Sequence, residues 1–350
     1  MPMPTTSTQL VLNWLKRSIT VHGGFGSAAF YQPLKGWSAP YPETTGYIIE
    51  TLWDYYHLSG DEMLKRQAIT CTDWLCNIQR EDGSWNGGVN GSLPPIVFDT
   101  GMILFGLARS FSEAGDERYL GALRLAAAWL LRLLDDDGCW RKASFRQGFS
   151  PSYYSRAIWA IAQAKDWLDD EKAVAGQLRQ ALAFYAKRIR ADHTVTGWGF
   201  EPTGPAFTHT IAYTLRGFLE ASALLTEGNL LEPMEGAARQ LMRSFEKKGR
   251  LAGSYDENWQ GDFSYTCLTG NAQLSAFFAR LSMFTQNEIY LQFARRLFGT
   301  IAHLPCRLPH PGLRGAVAGP RPLWGKYHPW QFPNWAAKFY LDAAKETGSL

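Results

Sequence analysis

Six carboxylates fall at or near points where apolar helical stretches begin: Glu43, Asp99, Glu201, Asp256, Glu257 and Asp262. Two of them share one local pattern, Glu43 in Tyr41-Pro-Glu-Thr-Thr-Gly-Tyr47 and Asp99 in Phe98-Asp-Thr-Gly101. Cleaving a glycosidic bond takes two carboxyls of different protonation flanking the scissile bond, ~5–5.5 Å apart for retention and ~6.5–9.5 Å for inversion. Residues on neighbouring helix starts can reach that range. Each also has a purely structural use, Asp99 as an N-cap and Glu43 as a first-turn carboxylate favoured by the helix dipole. The dipole lowers a carboxyl pKa and so suits a base or nucleophile. A general acid at such a place needs an apolar setting.

A second constellation is Tyr153, Tyr154, Arg156, His209, Asn271 and His328. Tyr154 or His209 as base, with Arg156 and Asn271 neutralising a uronate carboxylate, would suit proton abstraction beside a carbonyl. Aromatic residues crowd the segments between helices, among them Trp85, Trp140, Trp259, Tyr265, Trp324, Tyr327 and Trp330. Aromatic faces stack on the apolar faces of sugar rings. Trp259, Tyr265, Tyr327 and Trp330 are therefore candidate substrate contacts, with Asp256 and His328 beside them. Trp85 and Trp140 stand in Asp-Gly-x-Trp turns and read as struts that tuck loops onto the scaffold. Asp135-Asp-Asp137 looks like a metal or diphosphate box, but it precedes Gly138 and reads as a solvated turn.

These residues need a scaffold, and the chain supplies a repeated one. The helix-start pattern recurs at Cys267-Leu-Thr-Gly270, and weaker copies stand at Ser152-Tyr-Tyr-Ser155, Thr208-His-Thr210 and Pro333-Asn-Trp335. Tight turns at Gly60-Asp61, Gly115-Asp116, Asp169-Asp170, Gly228-Asn229 and Gln286-Asn287 recur roughly every 54–59 residues, the mark of stacked supersecondary units. The pattern predicts helices over 9–19, capped by Ser7 or Thr8, and over 42–58, 61–79, 117–134, 152–167, 171–190, 207–225, 229–246, 267–284, 287–302 and 333–346. A further one starts near 98. The unpaired first helix can join the unpaired last one and close the array. The expected fold is therefore all-α, an (α/α)6 barrel of six inner and six outer helices in one domain over 1–350. Turns from inner to outer helices are short. The long loops (20–41, 80–97, 135–151, 191–206, 247–266 and 303–332) gather on one face, where function concentrates.

Composition narrows the class. Hydrophobic residues make up 46% and charged residues 19% of the 350, enough for a large core and too little charge for disorder. Thirty-five basic and 32 acidic residues, with no basic run, exclude a nucleic-acid partner. Five cysteines with no CxxC pair argue against a zinc site or a disulfide framework. No metal or cofactor is expected. The first residues lack a signal-peptide pattern and no apolar run is long enough to span a bilayer, so cytoplasmic location is the default, with export by another route left open.

The double-layer array with Asp-Gly-x-Trp loops resembles the α/α-toroid superfamily: six-hairpin glycosidases and polysaccharide lyases, sugar 2-epimerases, and the terpenoid cyclase and protein prenyltransferase toroids. The helix-start motifs, with Asp256-Glu-Asn-Trp259 and Phe332-Pro-Asn-Trp-Ala-Ala-Lys338, are similar to a family associated with bacterial exopolysaccharide assembly clusters. The chain lacks the Asp-x-Asp-Asp acid motif of triterpene cyclases and the zinc ligands of prenyltransferases. Unsaturated glucuronyl hydrolases share the six-hairpin plan and use acidic residues at inner-helix ends, a place like that of Asp99. The resulting expectation is hydrolysis of a glycosidic bond in an acidic exopolysaccharide or its intermediate, with Glu43 and Asp99 as the carboxyl pair and Arg156 and His209 orienting substrate. The alternatives are a uronate lyase or epimerase, a non-catalytic glycan- or protein-binding toroid among exopolysaccharide assembly components, and an isoprenoid cyclase-like enzyme.

Overall fold

The computed structural model describes residues 6–226 and 230–350. Among these residues twelve α-helices alternate between two layers. The inner layer is α2 (Pro42–Ser59), α4 (Val97–Ala114), α6 (Ser155–Ala164), α8 (Thr208–Leu224), α10 (Leu268–Thr285) and α12 (Asn334–Glu346). The outer layer is α1 (Thr6–Thr20), α3 (Glu62–Asn77), α5 (Glu117–Arg132), α7 (Glu171–Ala186), α9 (Leu231–Lys248) and α11 (Glu288–Gly299). Each inner helix packs on the next, and α12 packs on α2, so the ring is closed.

The turns between layers work through complementary caps. Gly60 and Gly115 close α2 and α4 in the left-handed conformation that costs glycine little, and the following Asp61 and Asp116 accept from the backbone N–H of Met63 and Arg118. Asp170 and Asn287 cap α7 and α11 in the same way. The Gly228-Asn229 turn lies outside the described residues. Inner helices are buried nearly all round, and they approach at glycines. A Cβ on Gly46 would stand 2.5 Å from the Ile103 Cα, and one on Gly106 would stand 2.3 Å from the Gly46 carbonyl oxygen. The Thr-Gly pairs of the helix-start motif thus serve helix-on-helix contact.

Closure of the ring joins residues some three hundred positions apart. Trp14 on α1 is fully buried, packs on Trp37 at 5.1 Å between centroids, and donates to the Gly312 carbonyl at 2.8 Å. Burying a side chain of this size contributes about 2–3 kcal/mol. Phe30–Gln32 pairs antiparallel with Phe332–Pro333, and the Asn334 amide donates to Ser27 Oγ and Thr44 Oγ1 at 3.0 and 2.9 Å.

Three local features differ from the sequence pattern. Helix 152–167 is broken: Ser152–Tyr154 and Lys165–Trp167 are 3₁₀ turns on either side of α6. Helix α1 begins at Thr6, which puts Ser7 and Thr8 inside it rather than at its cap. Short two-residue and three-residue strands also lace the loops together. Ala206–Phe207 pairs with Ser254–Tyr255 and that with Gly261–Asp262, while Thr266–Cys267 pairs with Pro320–Arg321. These pairs satisfy backbone groups that long loops over a barrel mouth would otherwise leave bare. No helix among the described residues is long and apolar enough to cross a membrane.

Candidate active site

The starts of the inner helices surround a cavity of about 440 Å³, within the range of small-ligand sites. Its wall takes Glu43, Thr44 and Tyr47 from α2, Phe98 and Asp99 from α4, Tyr153 from the 3₁₀ turn before α6, His209 and Tyr213 from α8, and Trp335 from α12. The loops add Tyr41, Ile96, Phe145, Phe200, Glu201, Phe207, Tyr327 and His328. Ten of these side chains are aromatic.

Glu43 and Asp99 are 7% and 5% exposed. Neither is an N-cap: Tyr41 and Ile96 occupy the cap positions of α2 and α4 and make no side-chain cap bond. Asp99 Oδ2 accepts from the Gly88 N–H at 2.9 Å and from the Tyr41 hydroxyl at 3.2 Å. Gly88 is held there by its loop, in which the Asn90 N–H bonds the Pro40 carbonyl at 2.8 Å. The Tyr41 hydroxyl and the Asp99 carboxylate both act on the Glu43 carboxyl, so the phenol stands beside both acids. The phenol has a single proton, and its bond at 3.2 Å goes to Asp99.

Burial sets the ionisation of both acids. Burial, and then the neighbouring Asp99 charge, hold the Glu43 carboxyl well above the usual carboxylate range. Burial pushes Asp99 up to about 6, against the opposing bonds from Gly88 and Tyr41. Desolvation outweighs the helix dipole, and the apolar setting that a general acid needs is supplied by Tyr41, Phe98, Tyr153 and Trp335.

His209 is buried, and its Nδ1 donates to Gln273 Oε1 at 2.8 Å, leaving Nε2 as an acceptor. Burial lowers its pKa to about 3, and His328 is lowered for the same reason. Both imidazoles flank the Tyr327 ring, at 5.2 and 4.7 Å between centroids. His328 has a φ of 49°, a conformation sparsely populated by non-glycine residues.

The other sequence candidates lie elsewhere. Arg156 is under the floor rather than at the mouth: its guanidinium stands 4.8 Å from the Tyr213 ring and 4.9 Å from Trp159, and its Nε bonds Met102 Sδ. It lines a second cavity of about 180 Å³ at the far end of the barrel, among Glu50, Arg216, Lys338 and Asp342. Tyr154 turns away toward Trp140 and Tyr185 because the 3₁₀ turn rotates it off the axis. Tyr265 packs behind Phe207 and Tyr327, and Asn271 opens on a different surface pocket beside Arg250 and Thr300. Asp256 holds a turn through the N–H groups of Asn258 and Gln260, and Trp259 packs on Trp198 with its indole on the Asp192 carbonyl. Trp330 is half exposed beside Trp324 on the outer rim. Trp85 and Trp140 are struts, each donating to the carbonyl ten residues before it, Leu75 and Leu130, at 2.8 Å. Asp135 and Asp137 pair with Arg141 in an exposed turn.

Tyr41, Tyr47, Phe98, Phe200, Phe207, Tyr213 and Trp335 are among the site residues that sequence reasoning passed over. Tyr41 directly precedes Pro42-Glu43, and Tyr213 stands one turn after His209, so helical spacing was the available signal.

No protein-family model and no curated protein matches the chain. Solved structures do. An unsaturated glucuronyl hydrolase specific for heparin superposes with a TM-score of 0.75 at 20% identity, covering 98% of this chain and 96% of that one. Unsaturated glucuronyl hydrolase from Bacillus sp. GL1 gives 0.76 at 14%, covering 97% and 95%. The fold is an α/α toroid. Cellobiose 2-epimerase from Spirochaeta thermophila gives 0.67 at 13% identity, covering 99% of each chain. At these identities the toroid is common ground among hydrolases and epimerases, and the chemistry has to come from the site.

Proposed function

We propose that this toroid is a glycoside hydrolase acting at the end of an oligosaccharide chain, with Glu43 as general acid and Asp99 as its ionised partner. The observation that carries the reading is a pair of buried carboxyls, Glu43 and Asp99, on neighbouring inner-helix starts in the wall of one aromatic cavity, close enough for each to act on the other's ionisation. Glycoside hydrolysis uses such a pair. Protonated Glu43 gives its proton to the leaving oxygen. Asp99, lower in pKa, is left charged to stabilise the developing positive charge on the sugar or to take a proton from water. Aromatic walls dock the ring by its C–H faces. A cavity ringed by the inner-helix starts and their loops suits a chain end better than the interior of a polymer. The motif resemblance suggests an exopolysaccharide or its intermediate as the source of that end.

A second reading rests on His209 and His328, two neutral imidazoles on one wall, which suit proton transfer at a carbon beside a carbonyl, as in an epimerase or lyase. One experiment separates the two. Incubation with oligosaccharides in deuterium oxide is expected to yield new reducing ends, no ultraviolet chromophore and no carbon-bound deuterium. Deuterium beside the carbonyl would favour epimerisation, and a growing chromophore would favour elimination. Glycan binding without any of the three products would favour a non-catalytic toroid.

A further inference from the structure

The charge of the substrate can be read from what the cavity lacks. A uronate carboxylate is ionised at neutral pH, and burying it needs a cation or several N–H donors. Among the described residues lining the cavity there is no lysine and no arginine. Two guanidiniums beside cavity residues are already engaged. Arg156 is separated from the cavity by the Tyr213 ring and caged by Phe105, Trp159 and Phe339. Arg146, next to Phe145 at the rim, is paired with Glu201, Nε to Oε1 at 3.0 Å. The N-termini of α2 and α4 would favour an anion, but Glu43 and Asp99 already occupy their first turns. His209 and His328 are held uncharged by burial.

What the cavity does offer is ring faces and hydroxyls. Phe98 and Tyr153 form an edge-to-face pair at 4.9 Å, and Phe207 meets Tyr327 at 5.2 Å. Such surfaces take the C–H faces of a neutral ring, while the carboxyl pair and the Nε2 of His209 remain to meet its hydroxyls. We infer that the cavity takes an uncharged terminal sugar and rejects a uronate. This departs from the substrate in the name of the glucuronyl hydrolases that share the fold. It rests on the hydrolytic reading only in taking this cavity as the sugar site.

The test is calorimetric titration with disaccharide pairs that differ only at C6 of the terminal ring, hydroxymethyl against carboxylate, in gluco, galacto and manno series. At pH 7 the neutral member of at least one pair is expected to bind about tenfold or more tighter than its uronate. Phe145→Arg, at a half-exposed rim position, is expected to narrow that gap by improving the uronate. Equal or tighter uronate binding by the natural protein overturns the inference, and so does failure of every neutral member to bind. Reducing-end release is scored separately. Neutral sugars that bind but are not cleaved would sink hydrolysis and leave the charge preference standing.

Discussion

Asp99→Asn is expected to remove activity and at the same time make the protein more stable. The carboxyl rises from an ordinary 3.8 to about 6, chiefly through burial. At 1.36 kcal/mol per pH unit this is a cost of about 3 kcal/mol borne by the folded state. The sign follows from proton binding. A carboxyl whose folded pKa exceeds its unfolded one costs nothing below about pH 4, where both states are protonated, and its full penalty appears above about pH 6. The amide is uncharged throughout and its oxygen still accepts from Gly88, so the bond at 2.9 Å survives. The variant should match the natural protein near pH 4 and gain stability progressively as pH rises to 7. For a chain of this length about 1–2 °C accompanies each kcal/mol, so melting at pH 7 should rise by about 3–6 °C. Turnover should fall by about 10²–10⁴-fold. Melting curves at pH 4, 5, 6 and 7 with reducing-end release on the same samples make the measurement. A difference in melting that ignores pH, or a loss of stability at pH 7, would refute the burial argument. Undiminished turnover would refute the catalytic role.

Two further outcomes follow from geometry. Tyr41→Phe removes the hydroxyl that donates to Asp99 and lowers both acids, so the acidic limb of the pH–rate profile should move upward and turnover should drop about tenfold or more; an unmoved limb would mean that the phenol does not govern their ionisation. Gly46→Ala should cost about 3 kcal/mol in denaturant unfolding, because the new Cβ meets backbone on α4 that cannot yield, whereas Gly121→Ala on the exposed face of α5, with nothing within 4 Å, should gain about 0.5–1 kcal/mol.

Much of the scaffold was legible because its signals are local. Pro42, the Gly60-Asp61 and Gly115-Asp116 pairs, and apolar spacing each mark a boundary within a few residues. Closure of the ring was legible by counting helices. Glu43 and Asp99 were found because a first-turn position on an inner helix determines where a side chain points. Their protonation was not legible, since it depends on Tyr153 and Trp335 arriving from two other elements. Arg156 and Tyr154 show the limit most directly. An unbroken helix over 152–167 would have one phase, but the 3₁₀ turn at Ser152–Tyr154 shifts it, so Tyr153 faces the cavity, Tyr154 the outer layer and Arg156 the floor. The aromatic loops misled for a related reason. Trp259 and Trp330 have positive φ, at 58° and 60°, and a ring's direction there is set by turn geometry that composition does not encode.

The pairing of α1 with α12 has a consequence for how the molecule comes into being. Five of the outer helices follow their inner partners within a few residues, and those hairpins can form as soon as they are synthesised. The sixth is split across the chain: α1 comes first and its inner partner comes last, with Trp14 seated on Gly312 and Ser27 bonded to Asn334. A growing chain must therefore hold an amphipathic helix with an uncovered apolar face until the segment of α12, more than three hundred residues on, has been made. The ring is closed only when α12 fills the gap between α2 and α10 and is covered by α1. Until then Thr44, which helps to fix Tyr41 beside the acids, lacks the amide that holds it. The cavity wall and topological closure are thus completed by the same contacts, and a chain without α12 carries both acids without the Trp335 wall beside them.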